Sequence, residues 1–314
     1  MLAARSGRCF VRRRWIGWLA LWLVGGTLAC ATLPKPVDSG LLVFWEISSP
    51  GDSGGHAHLL GSVHFGREAT AFDPVIEAAF ADAAVLVFEV APGQANATAV
   101  TQLLLELGRL DPGQSLPDLL DEETWEALAA RLQAAGLSAM ALSSFEPWVA
   151  MIQVIGLDIA DAGLDGEHGI EEQLLTRAGG KPTLGLETAR FQLELFDQLP
   201  LETQVTLLED SLQDGGKTNR EGIDLILAAW QAGDTALLER LTQGDEGDEH
   251  TALFQERIFA ERNRNMAARL AELLEQPTHY FVTIGAGHTV GEGGVPALLR
   301  ERGYRVRRVP RTRP

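Results

Sequence analysis

The chain predicts a mixed α/β (α+β) fold, and three observations carry the prediction. Short β-rich runs alternate with longer stretches in which apolar residues recur at three and four. The first two β-rich runs are joined by a turn of Gly, Ser and Asp, which makes them a hairpin. Two runs at opposite ends of the chain close in the same way: Leu59-Leu60-Gly61-Ser62-Val63-His64 and Tyr280-Phe281-Val282-Thr283-Ile284-Gly285-Ala286-Gly287-His288 each finish on Gly-x-x-His. Apolar runs of this kind enter a sheet, glycine permits close approach, and the imidazole falls where a loop presents it to a ligand.

Residues 1–30 read as an export signal, with Arg5, Arg8, Arg12, Arg13 and Arg14 ahead of the apolar Trp15 to Val24. That run is short for a membrane span. Thr27-Leu28-Ala29-Cys30 resembles a lipoprotein box, although Thr27 stands where an aliphatic residue is usual; ordinary cleavage after Ala31 is the competing reading. The other cysteine, Cys9, lies inside the segment to be removed, so the mature chain would have no internal disulfide. Residues 31–40 form a tether, and residues 41–310 are expected to make one domain.

Leu41 to Ile47 is the first strand. The following turn holds Gly51-Asp52-Ser53-Gly54-Gly55, the letters found around a trypsin-like nucleophile; too little chain precedes Ser53 to supply the His and Asp, so it reads as a hairpin loop. After His64, Asp73-Pro74 signals a helix start with Asp73 as N-cap. Ala84 to Val90 is a strand in which Glu89 is the one charge, and a carboxylate buried there needs a cation, a metal or several donors. From about 96 to 180 the signals are helical: Thr98–Leu107, Asp121–Ala135, Pro147–Ile159 and Gly169–Ala178, with Trp125, Trp148 and Met151 on the apolar stripes. Pro182 to Thr188 is a short strand with a second lone acid, Glu187. Helices are expected over Gln192–Gln213, Leu225–Leu241 and Glu256–Leu274, the last carrying Arg262, Asn263, Arg264 and Asn265. The acidic run Gly244 to His250 reads as a solvated loop, with a calcium site as runner-up. A helix over Val295–Arg302 and a strand over Tyr304–Val309 finish the chain.

Of 314 residues, 46% are hydrophobic and 22% charged, ordinary for a globular protein. The formal charge of −17 becomes more negative once the signal is removed, because that segment takes five Arg and no acid with it. Such a surface repels phosphate backbones and argues against a nucleic-acid partner. There is no HExxH and no GxSxG. What remains is His64, Glu89, Glu187 and His288. Imidazoles with carboxylates are ligand chemistry for a divalent ion such as manganese, cobalt or zinc, and a spare carboxylate could deprotonate a bound water.

On these residues the chain resembles the TraB/GumN family (TraB/PrgY/GumN), related to the Tiki metalloproteases. The likeness rests on the paired Gly-x-x-His motifs, Glu89, Glu187 in Gly185-Leu186-Glu187-Thr188, Trp45, Pro147-Trp148, Gln192, and Arg262-Asn263 with Met266-Ala267 behind them. Where members often carry Gly-(Val/Ile)-Asp, this chain has Gly169-Ile170-Glu171, so Glu171 is either a stand-in or a surface residue. The resemblance implies a central mixed sheet in two related halves, flanked by helices, with a helical insertion at about 96–180 (an EreA/ChaN/Tiki-like arrangement). It implies the two Gly-x-x-His strands side by side near the middle. It implies a metal-dependent hydrolase, a peptidase acting on a peptide or protein, with His64, His288 and Glu89 or Glu187 as ligands and the other glutamate as base. Arg262 or Asn263 would then be the oxyanion donor. The alternative is a non-catalytic binding or assembly lipoprotein of the cell envelope. With Ala31 rather than Asp after a lipidated Cys30, the expected location is the outer membrane, facing the periplasm; without lipidation the protein would be soluble in the periplasm or secreted.

Overall fold

The structure is a computed structural model that describes residues 34–51, 54–94, 96–243 and 249–312. The export signal, Cys30, Asp52, Ser53 and most of the acidic run lie outside the described residues.

Six strands form one mixed sheet in the order β4-β3-β5-β2-β1-β6. They are β1 (Leu41–Ser48), β2 (His56–Ser62), β3 (Val85–Val90), β4 (Thr183–Glu187), β5 (His279–Gly285) and β6 (Arg305–Pro310). The β1–β2 hairpin is antiparallel, as its turn predicts, and β6 runs antiparallel on the outer side of β1. The other four strands are parallel: β2 pairs β5 from His56↔His279 to Ser62↔Gly285, β5 pairs β3, and β3 pairs β4. Parallel strands are covered on both faces and therefore read as unbroken apolar runs, and every residue of β5 is buried. The two Gly-x-x-His strands are thus neighbours at the centre of the sheet.

Local chemistry sets the flanking helices. Asp73 caps the helix Pro74–Asp82 by accepting from the Val75 amide at 3.0 Å. Between β3 and β4 the chain is helical, including Ala97–Leu107, Glu122–Ala134, Pro147–Asp161 and Ile170–Thr176. Trp148 and Met151 are buried there, while Trp125 is only half-buried. Two expected helices are each broken in two. The first splits into Ala189–Asp197 and Leu201–Leu212 because Pro200 cannot donate within a helix; the second splits into Lys217–Ala232 and Thr235–Gln243 at Gly233, whose φ of +65° is the left-handed cap glycine tolerates. In the helical stretch before β5, Glu256–Glu261 winds with π pitch before Arg262–Leu273 resumes the α form. One apolar core packs on the sheet and a second fills the helical region, and Phe65 and Val90, beside the Gly-x-x-His end of the sheet, belong to the second.

Candidate active site

Four parallel strands point their C-terminal ends to one edge of the sheet, the edge at which α/β folds place ligands. That topology brings His64, Glu89, Glu187 and His288 together from positions far apart in sequence. Glu89 and Glu187 are strand residues, His64 lies two residues past β2, and His288 sits in the single 3₁₀ turn Ala286–Thr289 that follows β5.

The glycines of the motif are dictated by packing. A Cβ on Gly61 would lie 2.6 Å from Val43 Cγ1 and 3.2 Å from the Ala286 backbone, and Trp230 Nε1 donates to the Gly61 carbonyl at 2.6 Å. A Cβ on Gly285 would lie 3.1 Å from Glu89 Oε1, 3.3 Å from His64 Nε2 and 3.6 Å from His288 Cδ2. Both imidazoles and one carboxylate therefore face the same bare backbone position. The Gly285 amide donates to Glu89 Oε1.

Arg262 is the organising cation, and it is fully buried. Its Nη2 donates to Glu89 Oε2 at 2.7 Å and to Glu187 Oε2 at 2.6 Å, and its Nε donates to Glu187 at 2.9 Å. Its Nη1 lies 2.7 Å from His288 Nε2. Since guanidinium only donates, His288 accepts at Nε2 and carries its proton on Nδ1, which donates to Asn263 Oδ1 at 2.6 Å. Asn263 is itself oriented by donating Nδ2 to the Gly293 carbonyl at 2.9 Å. Gln192 completes the cradle, donating to Glu187 at 3.0 Å and Glu89 at 3.3 Å.

His64 is held from behind. Its Nδ1 lies 2.8 Å from Glu171 Oε1, and Ser62 donates to the same carboxylate oxygen. Glu171 is thus a site residue rather than a surface one. His64 Nε2 is buried and has no hydrogen-bond partner among the described residues. It faces a small pocket of about 30 Å³, walled by Ile226, Leu238, Thr242 and Phe259, with room for about one water.

These surroundings drive the two glutamates apart. Burial alone would raise Glu89, but Arg262, His288, His64 and the Gly285 amide outweigh it and hold the carboxyl at about 2. For Glu187 burial wins over Arg262, and its pKa is raised. Burial and the adjacent Arg262 push His288 down to about 3, so it is neutral. Burial lowers His64, yet the Glu171 carboxylate more than offsets it and the net shift is upward.

All six residues singled out from the sequence lie in one cluster, but in two roles. Glu187 and Arg262 form its ion-paired floor, while His64 Nε2 and Glu89 Oε1 meet at Gly285. Arg262 and Asn263 donate to side chains and backbone of the protein itself. Glu171, Gln192 and Ser62 complete the cluster; Gly169-Ile170-Glu171 was the one sequence signal for the first.

The sequence profile of the TraB/PrgY/gumN family matches residues 43–308. An uncharacterized protein of Treponema pallidum is 28% identical over 307 residues, covering 91% of this chain and 90% of the relative. The uncharacterized protein YbaP of Escherichia coli is 27% identical over 265 residues, covering 81% and 91%. Metalloprotease TIKI1 of Danio rerio is 35% identical over 63 residues, 19% of this chain and 13% of that protein. No solved structure matches the chain significantly.

Proposed function

The chain belongs to the TraB/PrgY/gumN family, and from that premise and the buried cluster we propose that it is an exported metal-dependent hydrolase of peptide bonds. The observation that carries the reading is His64 Nε2, a buried imidazole nitrogen without a partner, set beside an ionised carboxylate. A carboxylate on the far ring nitrogen is the usual support of a metal-ligating histidine, and Glu171 supplies it. The residues that would hold a divalent ion are His64 through Nε2 and Glu89 through Oε1, and His288 would join them through Nε2 only by exchanging the Arg262 Nη1 donor for the ion. When bound, such an ion would supply Lewis acidity for activating water and polarising a carbonyl. The similarity to metalloprotease TIKI1 of Danio rerio supports the peptidase class.

The protein's own groups divide the remaining work. Glu89, held at about 2, stays ionised and serves as ligand. Glu187, raised by burial, is the group suited to accept a proton from water and return it to the leaving amine; two carboxyls with separated pKa values mark base and ligand. Arg262 and Asn263 act as positioning groups in this reading, the first by aligning both glutamates and the second by fixing the His288 tautomer. The apolar wall of Ile226, Leu238 and Phe259 limits water around the reacting bond.

The test is metal uptake and peptide cleavage by the purified protein with manganese, cobalt or zinc. His64→Gln should abolish cleavage and the metal equivalent bound at this cluster, and Glu187→Gln should abolish cleavage while sparing that equivalent. Full cleavage by Glu187→Gln overturns the assignment of the base; full uptake and cleavage by His64→Gln overturns the site. We further propose attachment to the outer membrane through lipid on Cys30, supported by the composition of residues 1–30. Mass spectrometry of the mature N-terminus tests it: a diacylglyceryl Cys30 is expected, and a chain starting at Thr32 refutes it.

A further inference from the structure

The opposite edge of the sheet holds a second cluster of ligand residues that the hydrolase reading does not use. The β2–β5 register starts at His56↔His279, six residues before Ser62↔Gly285. At about 3.3 Å per residue the two edges are roughly 20 Å apart. The start of β2 carries His56 and His58 on one face, and β5 begins with His279 beside them. Asp82, the last residue of the helix Pro74–Asp82, reaches the same point, with Oδ2 3.0 Å from His279 Nδ1. One ligand atom each from His56, Asp82 and His279 lie within 4.8 Å of one another.

We propose that His56, Asp82 and His279 form a second divalent-metal site, selective for a zinc-like ion. Two imidazoles and one carboxylate are borderline ligands that suit zinc better than magnesium or calcium, which prefer oxygen. With metal–nitrogen and metal–oxygen bonds of about 2 Å, donors around a tetrahedral ion stand about 3.3 Å apart, and the Asp82–His279 pair is already near that spacing. His56 is exposed and stacks on His279 with ring centroids 4.1 Å apart and planes 21° apart; because imidazole binds in its own plane, His56 has to rotate out of this stack, as a surface side chain can, to bring a nitrogen to the ion. His279 is oriented for the purpose. Its Nε2 lies 2.8 Å from His58 Nδ1, so that with Nε2–H donating to His58 its Nδ1 lone pair faces Asp82 and the ion. His58 is fixed in turn by stacking on Phe44 at 5.5 Å. Three protein ligands leave the fourth position to water. The ion would tie the starts of the two central strands to the helix between β2 and β3, which is a stabilising role.

The experiment is a zinc titration of the chelator-treated, purified full chain by isothermal calorimetry, in the wild type and in His56→Ala, Asp82→Asn and His64→Gln. The Asp82 side chain is 80% exposed and His56 is exposed, so neither substitution disturbs the core. The expected result is one zinc equivalent lost, or bound at least tenfold more weakly, in His56→Ala and Asp82→Asn but retained in His64→Gln. X-ray absorption at the zinc edge of His64→Gln should show only nitrogen and oxygen neighbours, with two imidazoles. Wild-type zinc binding in both His56→Ala and Asp82→Asn overturns the proposal, as does coordination without imidazole. Loss of zinc in His64→Gln alone would overturn it while leaving the hydrolase reading intact, and the reverse pattern would do the opposite.

Discussion

Replacing Arg262 with methionine tests the central claim about the site, that one buried cation holds two buried carboxylates. Methionine has nearly the length of arginine and leaves little cavity, so the loss is electrostatic. Glu89 and Glu187 lose the donors at 2.7 and 2.6 Å, and both stay buried, with Gln192 and the Gly285 amide as their remaining donors. Breaking a buried ion pair by removing one partner costs about 3–5 kcal/mol. For a domain of this size that is a fall in Tm of roughly 5–10 °C. The sign of the pH dependence follows from the same geometry. Without Arg262 the folded-state pKa values of both carboxyls rise above their unfolded values, so the folded variant binds protons more readily and gains stability as pH falls. The deficit measured by urea unfolding at pH 7 should therefore shrink by pH 5, and adding Glu89→Gln to Arg262→Met should recover part of it at pH 7. A deficit below about 1 kcal/mol, or one equal at both pH values, would refute the reasoning.

Glu89→Gln alone should change the acid limb of the stability curve. The Glu89 carboxyl is depressed from 4.5 to about 2, so its contribution is present above pH 4.5 and is lost as pH falls from 4.5 toward 2; the variant should lose that slope in acid urea titrations. Gly285→Ala should disturb the site directly, because its methyl would meet Glu89 Oε1 at 3.1 Å and His64 Nε2 at 3.3 Å; about 1–3 kcal/mol of stability and most of the metal bound at His64 should go, and undiminished binding there at wild-type stability would count against the convergence at Gly285. Glu171→Gln should weaken metal binding at His64 by about 10–100-fold with little change in Tm, read by competition with a chelating dye. Asp158, buried and paired with Arg131 at 2.8 Å and Asn219 at 2.7 Å, is a structural counterpart in the helical region: Asp158→Ala should cost about 3–5 kcal/mol in urea unfolding and leave metal uptake unchanged.

The sequence revealed what physical cost makes conspicuous. A glutamate in an apolar strand must have partners, and Glu89 and Glu187 have them. The repeated Gly-x-x-His betrays two strand ends with the same steric demand, and the packing at Gly61 and Gly285 is that demand. Periodicity was less informative about helix ends, since it runs through Pro200 and Gly233 even though backbone chemistry breaks the helix at both. Contacts such as His64–Glu171 and His58–His279 join residues 107 and 221 apart in number, and no local pattern encodes such distances.

Arg262 shows why a buried cation escapes a reading by pattern. Four polar residues in a row, Arg262 to Asn265, look like a solvated helix face, and at a constant 3.6-residue pitch the apolar stripe of Phe254 and Ile258 would be followed inward by residue 262 only as a continuation of i+4 steps. The structure does continue it that way: Ile258 and Arg262 are both fully buried, and the π-pitched segment Glu256–Glu261 brings Phe259 and Asn263 inward beside them. The inward stripe therefore contains a charge where the pattern demands an apolar residue. The charge is tolerated because three strands deliver acceptors to that point, Glu89 from β3, Glu187 from β4 and His288 from the turn after β5. A helix that places arginine on its buried face needs a sheet edge that supplies acceptors, so the polar residue on the stripe and the lone acids at the strand ends are parts of one electrostatic constraint.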